Sequence, residues 1–193
     1  MPTATLLRSS TLLAIALAMT AAALAGSTPA LAGSPPAPDT EASRIQRGYQ
    51  IAPVTLHTKR LDPALVGLGS YIVNGQGGCN DCHTNPPYAA GHDPFAGQPK
   101  QINVEGYLAG GMEFGPFVSR NLTPNDDGLP AGLTWLQFRQ VLRTGIDLDH
   151  KHPQISPLLQ VMPWPVYQSM TDRDLRAIYE YLRAIPSAGE HDD

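Results

Sequence analysis

The stretch Cys79-Asn80-Asp81-Cys82-His83 decides how the rest of this sequence is interpreted. It contains both cysteines of a 193-residue chain, and a histidine follows the second one directly. A disulfide that closes so small a loop constrains the unfolded chain very little, so a structural cross-link explains the pair poorly. Two thiols beside an imidazole therefore indicate a chemical role for this segment.

The N-terminal segment predicts export from the cytoplasm. Arg8 precedes the largely apolar stretch 11–24, and Ala30-Leu31-Ala32 matches the small-residue pattern of a cleavage site. The apolar stretch is shorter than the about 20 residues that a bilayer-spanning helix needs, which favours a cleaved signal over a membrane anchor. We therefore predict a signal peptide over residues 1–32, cleavage near Ala32, a periplasmic or otherwise exported mature protein, and no stable membrane span.

In an exported chain with no other cysteine, Cys-x-x-Cys-His is the attachment signature of c-type haem. Two thiols at this spacing reach the two vinyl groups on one edge of the porphyrin and form thioethers. The adjacent imidazole then turns under the ring and binds the iron. The motif predicts one covalent haem c, held through Cys79 and Cys82, with His83 as an axial ligand of the iron.

Two other chemistries use cysteine pairs of this kind and stay open as alternatives. A thioredoxin-like redox pair is normally preceded by a strand and a helix, and no such pattern precedes Cys79. A zinc site would need four ligands, such as Cys79, Cys82, His83 and His92. Since Cys82 and His83 are neighbours, they would rarely both reach one tetrahedral metal.

The second axial ligand of an electron-carrying haem c is commonly a methionine. Met162 lies between a loop and the last predicted helix, where neighbouring prolines fix the backbone, and we predict that it is the ligand. Met170 has a structural role beside a helix cap, and Met112 lies in a glycine-rich insert. His150 and His152 are the alternative ligands. If none of these binds, an open sixth position predicts a haem-based sensor or a peroxidase-like protein.

Apolar periodicity and capping residues predict three helices. The first begins at the Asp62 cap and stops at Gly75. The second runs from a capping box at Thr134 to Gly145, and the third occupies 171–186. Helices that are few and widely separated indicate a mainly α protein with long connections.

The remaining segments show little regular structure in their sequence. Residues 41–61 have no clear periodicity, while 84–133 and 146–169 are rich in turn-forming residues, in keeping with 18 Gly and 19 Pro in the chain. Loops of this length are rare in a compact domain unless they pack around something. A large apolar cofactor would give these loops a core.

The charge pattern excludes one class of partner. The formal net charge is −4, and Lys and Arg are scattered rather than gathered in a run or stripe. Nucleic-acid-binding proteins carry a basic patch along their interface, so we predict no nucleic-acid partner.

The order of these features resembles class I c-type cytochromes over residues 63–187. A helix, the attachment motif, a loop region, a Met-Pro pair at Met162 and a closing helix occur in the family's order. The resemblance implies a class I cytochrome c fold, with helices and long loops wrapped around one covalently bound haem. It divides the chain into a signal peptide (1–32), a Pro-rich leader and N-terminal extension (33–62), the cytochrome c domain (63–187) and a C-terminal tail (188–193).

Particular residues look like family positions, and the resemblance implies roles for them. It implies a contact between the first and last helices through Gly67, Tyr71, Ile178 and Tyr181. It also implies that a proline carbonyl orients His83, with three candidates. Apart from the resemblance, large aromatic side chains are candidates for the wall of the haem pocket, and an arginine is a candidate partner for a propionate. The candidates are Pro86, Pro87 and Pro94 for the carbonyl, Trp135, Phe138 and Trp164 for the pocket wall, and Arg120 or Arg139 for a propionate.

A narrower resemblance is to the cytochrome subunits and domains that serve periplasmic dehydrogenases of alcohols and related substrates. The segments that carry it are 107–111, 121–124, Thr134-Trp135 and 162–164. Those subunits often hold several haems, whereas one motif here implies one. The resemblance implies an electron carrier rather than an enzyme, with a dehydrogenase as electron donor and a cytochrome or oxidase as acceptor.

Overall fold

The computed structural model describes residues 39–147 and 157–189. Within them the α-helices are α1 Glu41–Ile51, α2 Pro63–Tyr71, α3 Cys79–His83, α4 Trp135–Thr144, α5 Trp164–Tyr167 and α6 Asp172–Ala184. A π-helical turn, Ile72–Gln76, continues α2, and an antiparallel hairpin pairs β1 Glu113–Phe114 with β2 Phe117–Val118. The mainly α prediction is confirmed, and the arrangement is compatible with a cytochrome c fold.

Some predicted features lie outside the described residues. These are the signal peptide, residues 33–38 of the leader, His150, His152 and the tail from residue 190. Within the described part of the chain, no helix has both the length and the apolar character required to cross a bilayer.

Helix α2 and the π turn precede the cysteine motif and fix where it begins. It starts as predicted, since the Asp62 side chain accepts a hydrogen bond from the Ala64 N–H at 2.9 Å. The π turn follows, and the chain then reverses at Gly78, whose φ of 60° lies in the left-handed region that glycine adopts without strain. Helix α3 begins at the next residue, so its position depends directly on how α2 is packed.

Helices α2 and α6 cross with their backbones in close contact. A Cβ atom added to Gly69 would lie 1.9 Å from the carbonyl oxygen of Ala177 and 2.7 Å from the Cβ of Tyr181. The prediction that Gly67 makes this contact is wrong. Two helical residues separated by two positions point about 200° apart, and Gly67 therefore faces the opposite side of α2.

The opposite side of α2 is covered by α1, a helix that the sequence analysis did not predict. A Cβ on Gly48 would lie 1.8 Å from the carbonyl oxygen of Gly67, and the Ser70 hydroxyl donates to the Gly48 carbonyl at 2.7 Å. Tyr71, which the resemblance placed against the last helix, instead borders a shallow cleft with residues of α1. The helix was missed because part of its contact with α2 is made by the glycine backbone, which gives no apolar stripe in the sequence.

Helices α4 and α6 begin and end largely as predicted, and an ion-pair cluster joins them. Asp172 at the start of α6 accepts from the Nε of Arg139 at 2.9 Å and from Arg143 at 2.8 Å, both on α4. These side chains are partly exposed, so the cluster contributes modestly to stability.

Replacing Asp172 with asparagine is expected to remove an acid-sensitive part of the stability. The hydrogen bonds from Arg139 and Arg143 lower the pKa of Asp172 to about 2. Because the folded-state pKa is depressed, this stabilisation is present above about pH 4 and is lost as the pH falls toward 2. Urea midpoints of the two proteins should therefore differ at pH 5 and converge between pH 4 and 2. A difference that stays constant over this range would contradict the assignment.

Candidate functional site

The two cysteines and the histidine of the motif lie on the single short helix α3. Cys79 and Cys82 are not joined by a disulfide, and both are half-buried. Burial raises the pKa of the Cys79 thiol to about 12 and also raises that of Cys82. A thioredoxin-type pair acts through a thiolate with a lowered pKa, so these shifts disfavour that alternative.

The imidazole of His83 is held by a backbone carbonyl from a distant part of the chain. Its Nδ1 lies 2.8 Å from the carbonyl oxygen of Arg120. A carbonyl oxygen only accepts, so Nδ1 carries the proton and donates. Burial lowers the pKa of His83, which favours the neutral ring. Nε2 is then left with a lone pair, as a metal-binding histidine requires.

The expectation that a proline carbonyl orients His83 is therefore wrong for this chain. The carbonyl of Pro86 accepts from Asn103 at 3.0 Å, and that of Pro87 accepts from Asn80 at 3.0 Å. The carbonyl of Pro94 accepts from the Gly97 N–H, which caps the short 3₁₀ turn Pro94–Ala96.

An apolar cavity opens beside α3, and Cys79, Cys82 and His83 all line it. Its walls come from the π turn, the hairpin, α4, α6 and the segment before α5. Large apolar side chains dominate the lining, among them Val73, Phe138, Leu142, Ile178 and Leu182. The structure thus provides an apolar cavity at the point where the sequence predicts a large apolar cofactor.

Met162 lines the same cavity as His83. It lies in the segment that leads into α5, and the Trp164 N–H donates to its carbonyl at 2.8 Å. Among the described residues that line the cavity, Met162 is the only methionine. Met170 packs against the core, and Met112 lies outside the cavity lining. The structure brings together the four side chains predicted from sequence to hold haem.

Two contacts fix the segment that carries Met162. The hydroxyl of Tyr167 on α5 donates to the carbonyl of Gly77, just before the motif, at 3.1 Å. The indole of Trp164 packs on Gly145, where an added Cβ would lie 2.4 Å from the ring. Sequence reasoning missed Tyr167, because a tyrosine near a helix carries no signal for a partner 90 residues away in the chain.

Of the other residues predicted to form the cavity wall or to bind a propionate, some line the cavity and others lie elsewhere. Phe138 and Arg120 line the cavity, as expected. Trp135 instead packs edge-on against Tyr179, with the ring centroids 5.6 Å apart, and Arg139 pairs with Asp172. Arg120 is thus the arginine that the structure places at the cavity.

The zinc hypothesis has no geometric support in the described residues. No three His, Cys, Asp or Glu side chains come together there in an arrangement that would hold a metal ion. His92, the proposed fourth ligand, is half-buried, and its Nδ1 lies 3.2 Å from the Pro99 carbonyl oxygen.

Comparison with known proteins gives the site a context. No protein-family model matches the chain. It is 32% identical to the cytochrome c subunit of the quinone alcohol dehydrogenase of Gluconobacter oxydans, over 138 residues that make up 68% of this chain and 26% of that subunit. The corresponding subunit of Gluconacetobacter polyoxogenes is 30% identical over 129 residues, or 65% of this chain and 23% of the subunit.

The chain is also similar to a cytochrome subunit of a dehydrogenase with a different named activity. The fructose dehydrogenase cytochrome subunit of Gluconobacter japonicus is 31% identical over 104 residues, covering 54% of this chain and 18% of that subunit. The chain spans about a quarter of the length of the alcohol dehydrogenase subunits that it matches. The predicted resemblance to dehydrogenase cytochrome subunits is confirmed.

Proposed function

We propose that this chain is an electron-transfer protein that carries one haem c, attached covalently through Cys79 and Cys82. In this proposal, His83 and Met162 would bind the iron. The observation that carries it is the shared cavity, in which an apolar wall brings these four side chains together. Similarity to cytochrome c subunits supports the same cofactor.

The residues present suit a haem in three respects. The cavity lining is overwhelmingly apolar, as the faces of a porphyrin require. The Nδ1 of His83 is engaged by a carbonyl, which leaves the lone pair of Nε2 for a metal. The thiols of Cys79 and Cys82 border the cavity, where they are available for thioether formation.

The chain's own residues have distinct tasks in this function. When bound, haem iron supplies one-electron oxidation and reduction. The Arg120 carbonyl fixes the tautomer of His83 and increases the basicity of its ring. As a ligand of haem iron, the soft thioether of Met162 would favour the ferrous state. Apolar side chains such as Phe138 and Leu182 exclude water and disfavour the additional charge of the ferric state.

We further propose that the domain over residues 63–187 works in the periplasm, after removal of residues 1–32. Its electron donor is a dehydrogenase and its acceptor is a cytochrome or an oxidase. The relatives support the donor, because their names describe cytochrome subunits of dehydrogenases. The chain itself acts as a carrier, and substrate oxidation takes place on the dehydrogenase.

The Met162→Ala variant tests the proposed iron ligand. We expect the haem-loaded variant to keep its covalent haem but lose the weak far-red absorption band of ferric haem with a methionine ligand. The ferrous variant should bind carbon monoxide rapidly, because the sixth position is then open. Met112→Ala is the matched control, since Met112 lies outside the cavity lining and should leave the spectrum unchanged.

The same experiment separates the two functional hypotheses. Rapid carbon monoxide binding by the unmodified protein, with no far-red band, would replace the electron-carrier proposal with the sensor or peroxidase-like alternative. A far-red band that persists in Met162→Ala would show that another residue binds the iron. Absence of covalent haem after expression with a haem-attachment system would contradict the proposal as a whole.

A further inference from the structure

A buried ion pair lies in the cavity wall close to His83. The Arg120 guanidinium is 3.1 Å from the Asp147 carboxylate, and the two side chains are only 15% and 5% exposed. Both residues line the cavity. Burying two charges is costly, so such a pair is better explained by what it positions than by the stability it provides.

The main chain of Arg120 is the part of the pair that reaches the motif. Its carbonyl accepts the His83 Nδ1–H at 2.8 Å. On its other side, this backbone is packed against Gly110, where an added Cβ would lie 2.6 Å from the Arg120 carbonyl carbon. The Gly110 N–H in turn donates to the His83 backbone carbonyl at 2.7 Å. A small movement of Arg120 would therefore be transmitted to the His83 ring.

Asp147 is in turn anchored to the segment that leads to Met162. Its backbone N–H donates to the Pro157 carbonyl at 2.8 Å, beside a β-bridge between Ile146 and Leu158. The Leu159 N–H donates to the Gly145 carbonyl, also at 2.8 Å. Asp147 thus connects the wall that carries Met162 with the residue that orients His83.

We propose that Asp147 is a positioning residue for His83, acting through Arg120. Its carboxylate fixes the Arg120 side chain, and this keeps the Arg120 carbonyl on the Nδ1–H of the imidazole. The proposal rests on the proposed function, in which His83 binds haem iron.

The test uses the full mature chain loaded with haem, in the ferrous state and labelled with ¹⁵N. Mass spectrometry first establishes that haem is covalently attached in each protein. NMR then measures the hydrogen-exchange rate of the His83 Nδ1–H in Asp147→Asn, which removes the charge but keeps the side-chain shape. We expect exchange about tenfold faster, the loss that corresponds to weakening one buried hydrogen bond.

Three comparisons make this result specific. Asp172→Asn is the matched control, because it also separates a carboxylate from arginines but lies outside the cavity, and His83 exchange should be unchanged. The buried Leu108 N–H, bonded to the Thr84 hydroxyl at 3.0 Å, is an internal reference that reports general loosening. Arg120→Gln keeps the carbonyl but loses the ion pair, and should accelerate His83 exchange as Asp147→Asn does.

The reduction potential distinguishes positioning from a simple charge effect. Removing the negative charge of Asp147 and the positive charge of Arg120 would shift the potential in opposite directions if charge alone mattered, with His83 exchange unchanged. That pattern would overturn the proposal, as would equal acceleration of the His83 and Leu108 protons. If the unmodified protein carries no covalent haem, the proposed function fails instead. If Asp147→Asn does not fold, Arg120→Gln alone decides, and unchanged His83 exchange in it would overturn the proposal.

Discussion

A chain in which Cys79 and Cys82 are both replaced by alanine will carry no covalent haem and will lose most of its helical structure. The apolar side chains of the cavity, including Phe138, Leu142 and Leu182, would then face an empty or water-filled space. A large apolar group that binds only the folded state stabilises it by several kcal/mol, and removing it withdraws a large fraction of the 5–15 kcal/mol by which domains are typically stable. Far-ultraviolet circular dichroism and a urea titration measure the loss.

The single variant Cys82→Ala is the control for this result. It retains one thiol for a thioether, together with His83, and should therefore keep both haem and helical signal. Cooperative unfolding of the haem-free double variant, with helix content like that of the unmodified protein, would contradict the expectation. In that case the core between α2 and α6 would suffice for folding without the cofactor.

The parts of the fold that were predicted correctly depend on short-range interactions. Helix starts at Asp62, Thr134 and Thr171 follow from side chains that accept a hydrogen bond from an N–H two or three residues later. The stop at Gly145 follows from a single left-handed residue. Each of these signals is local, so neighbouring residues are enough to detect it.

The parts that were missed depend on contacts between distant residues. The carbonyl that orients His83 belongs to Arg120, 37 positions along the chain, and backbone carbonyls leave no residue-specific signal. Helix α1 packs through Gly48 against Gly67, where the absence of a side chain is the relevant feature. Glycines are frequent in this sequence, so composition alone does not reveal which ones allow close helix packing.

In the candidate site, too, residues with a local sequence signal were predicted, and a residue that depends on distant contacts was missed. The motif predicted Cys79, Cys82 and His83 because its three side chains are fixed by their spacing on one turn. Met162 was predicted from its position before the last helix and from the prolines beside it, and the structure places it on the same cavity. The sequence does not indicate a role for Asp147, because a single acidic residue in a polar stretch is usually solvated, whereas this one is only 4% exposed.

The Gly69→Ala variant should lose a large part of its stability because the crossing of α2 and α6 has no room for a methyl group. The added Cβ would lie 1.9 Å from the Ala177 carbonyl oxygen, a backbone atom that cannot move aside without displacing α6. Overpacking typically costs roughly 1–3 kcal/mol, and because the clash here is with backbone we expect about 3 kcal/mol. For a domain of this size, that corresponds to a fall of roughly 6–12 °C in Tm.

Gly75→Ala provides the matched control for Gly69→Ala on the continuation of the same helix. A Cβ there would be 3.4 Å from the nearest atom, the Cδ1 of Ile51, which is a normal van der Waals contact. We expect its Tm to change by a degree or two at most, since the substitution also restricts the unfolded chain. Thermal unfolding of the haem-loaded proteins measures both. If Gly69→Ala were tolerated as well as Gly75→Ala, the close approach of α2 and α6 would be wrong. The placement of α3 at the end of α2, on which the candidate site depends, would then have to be revised.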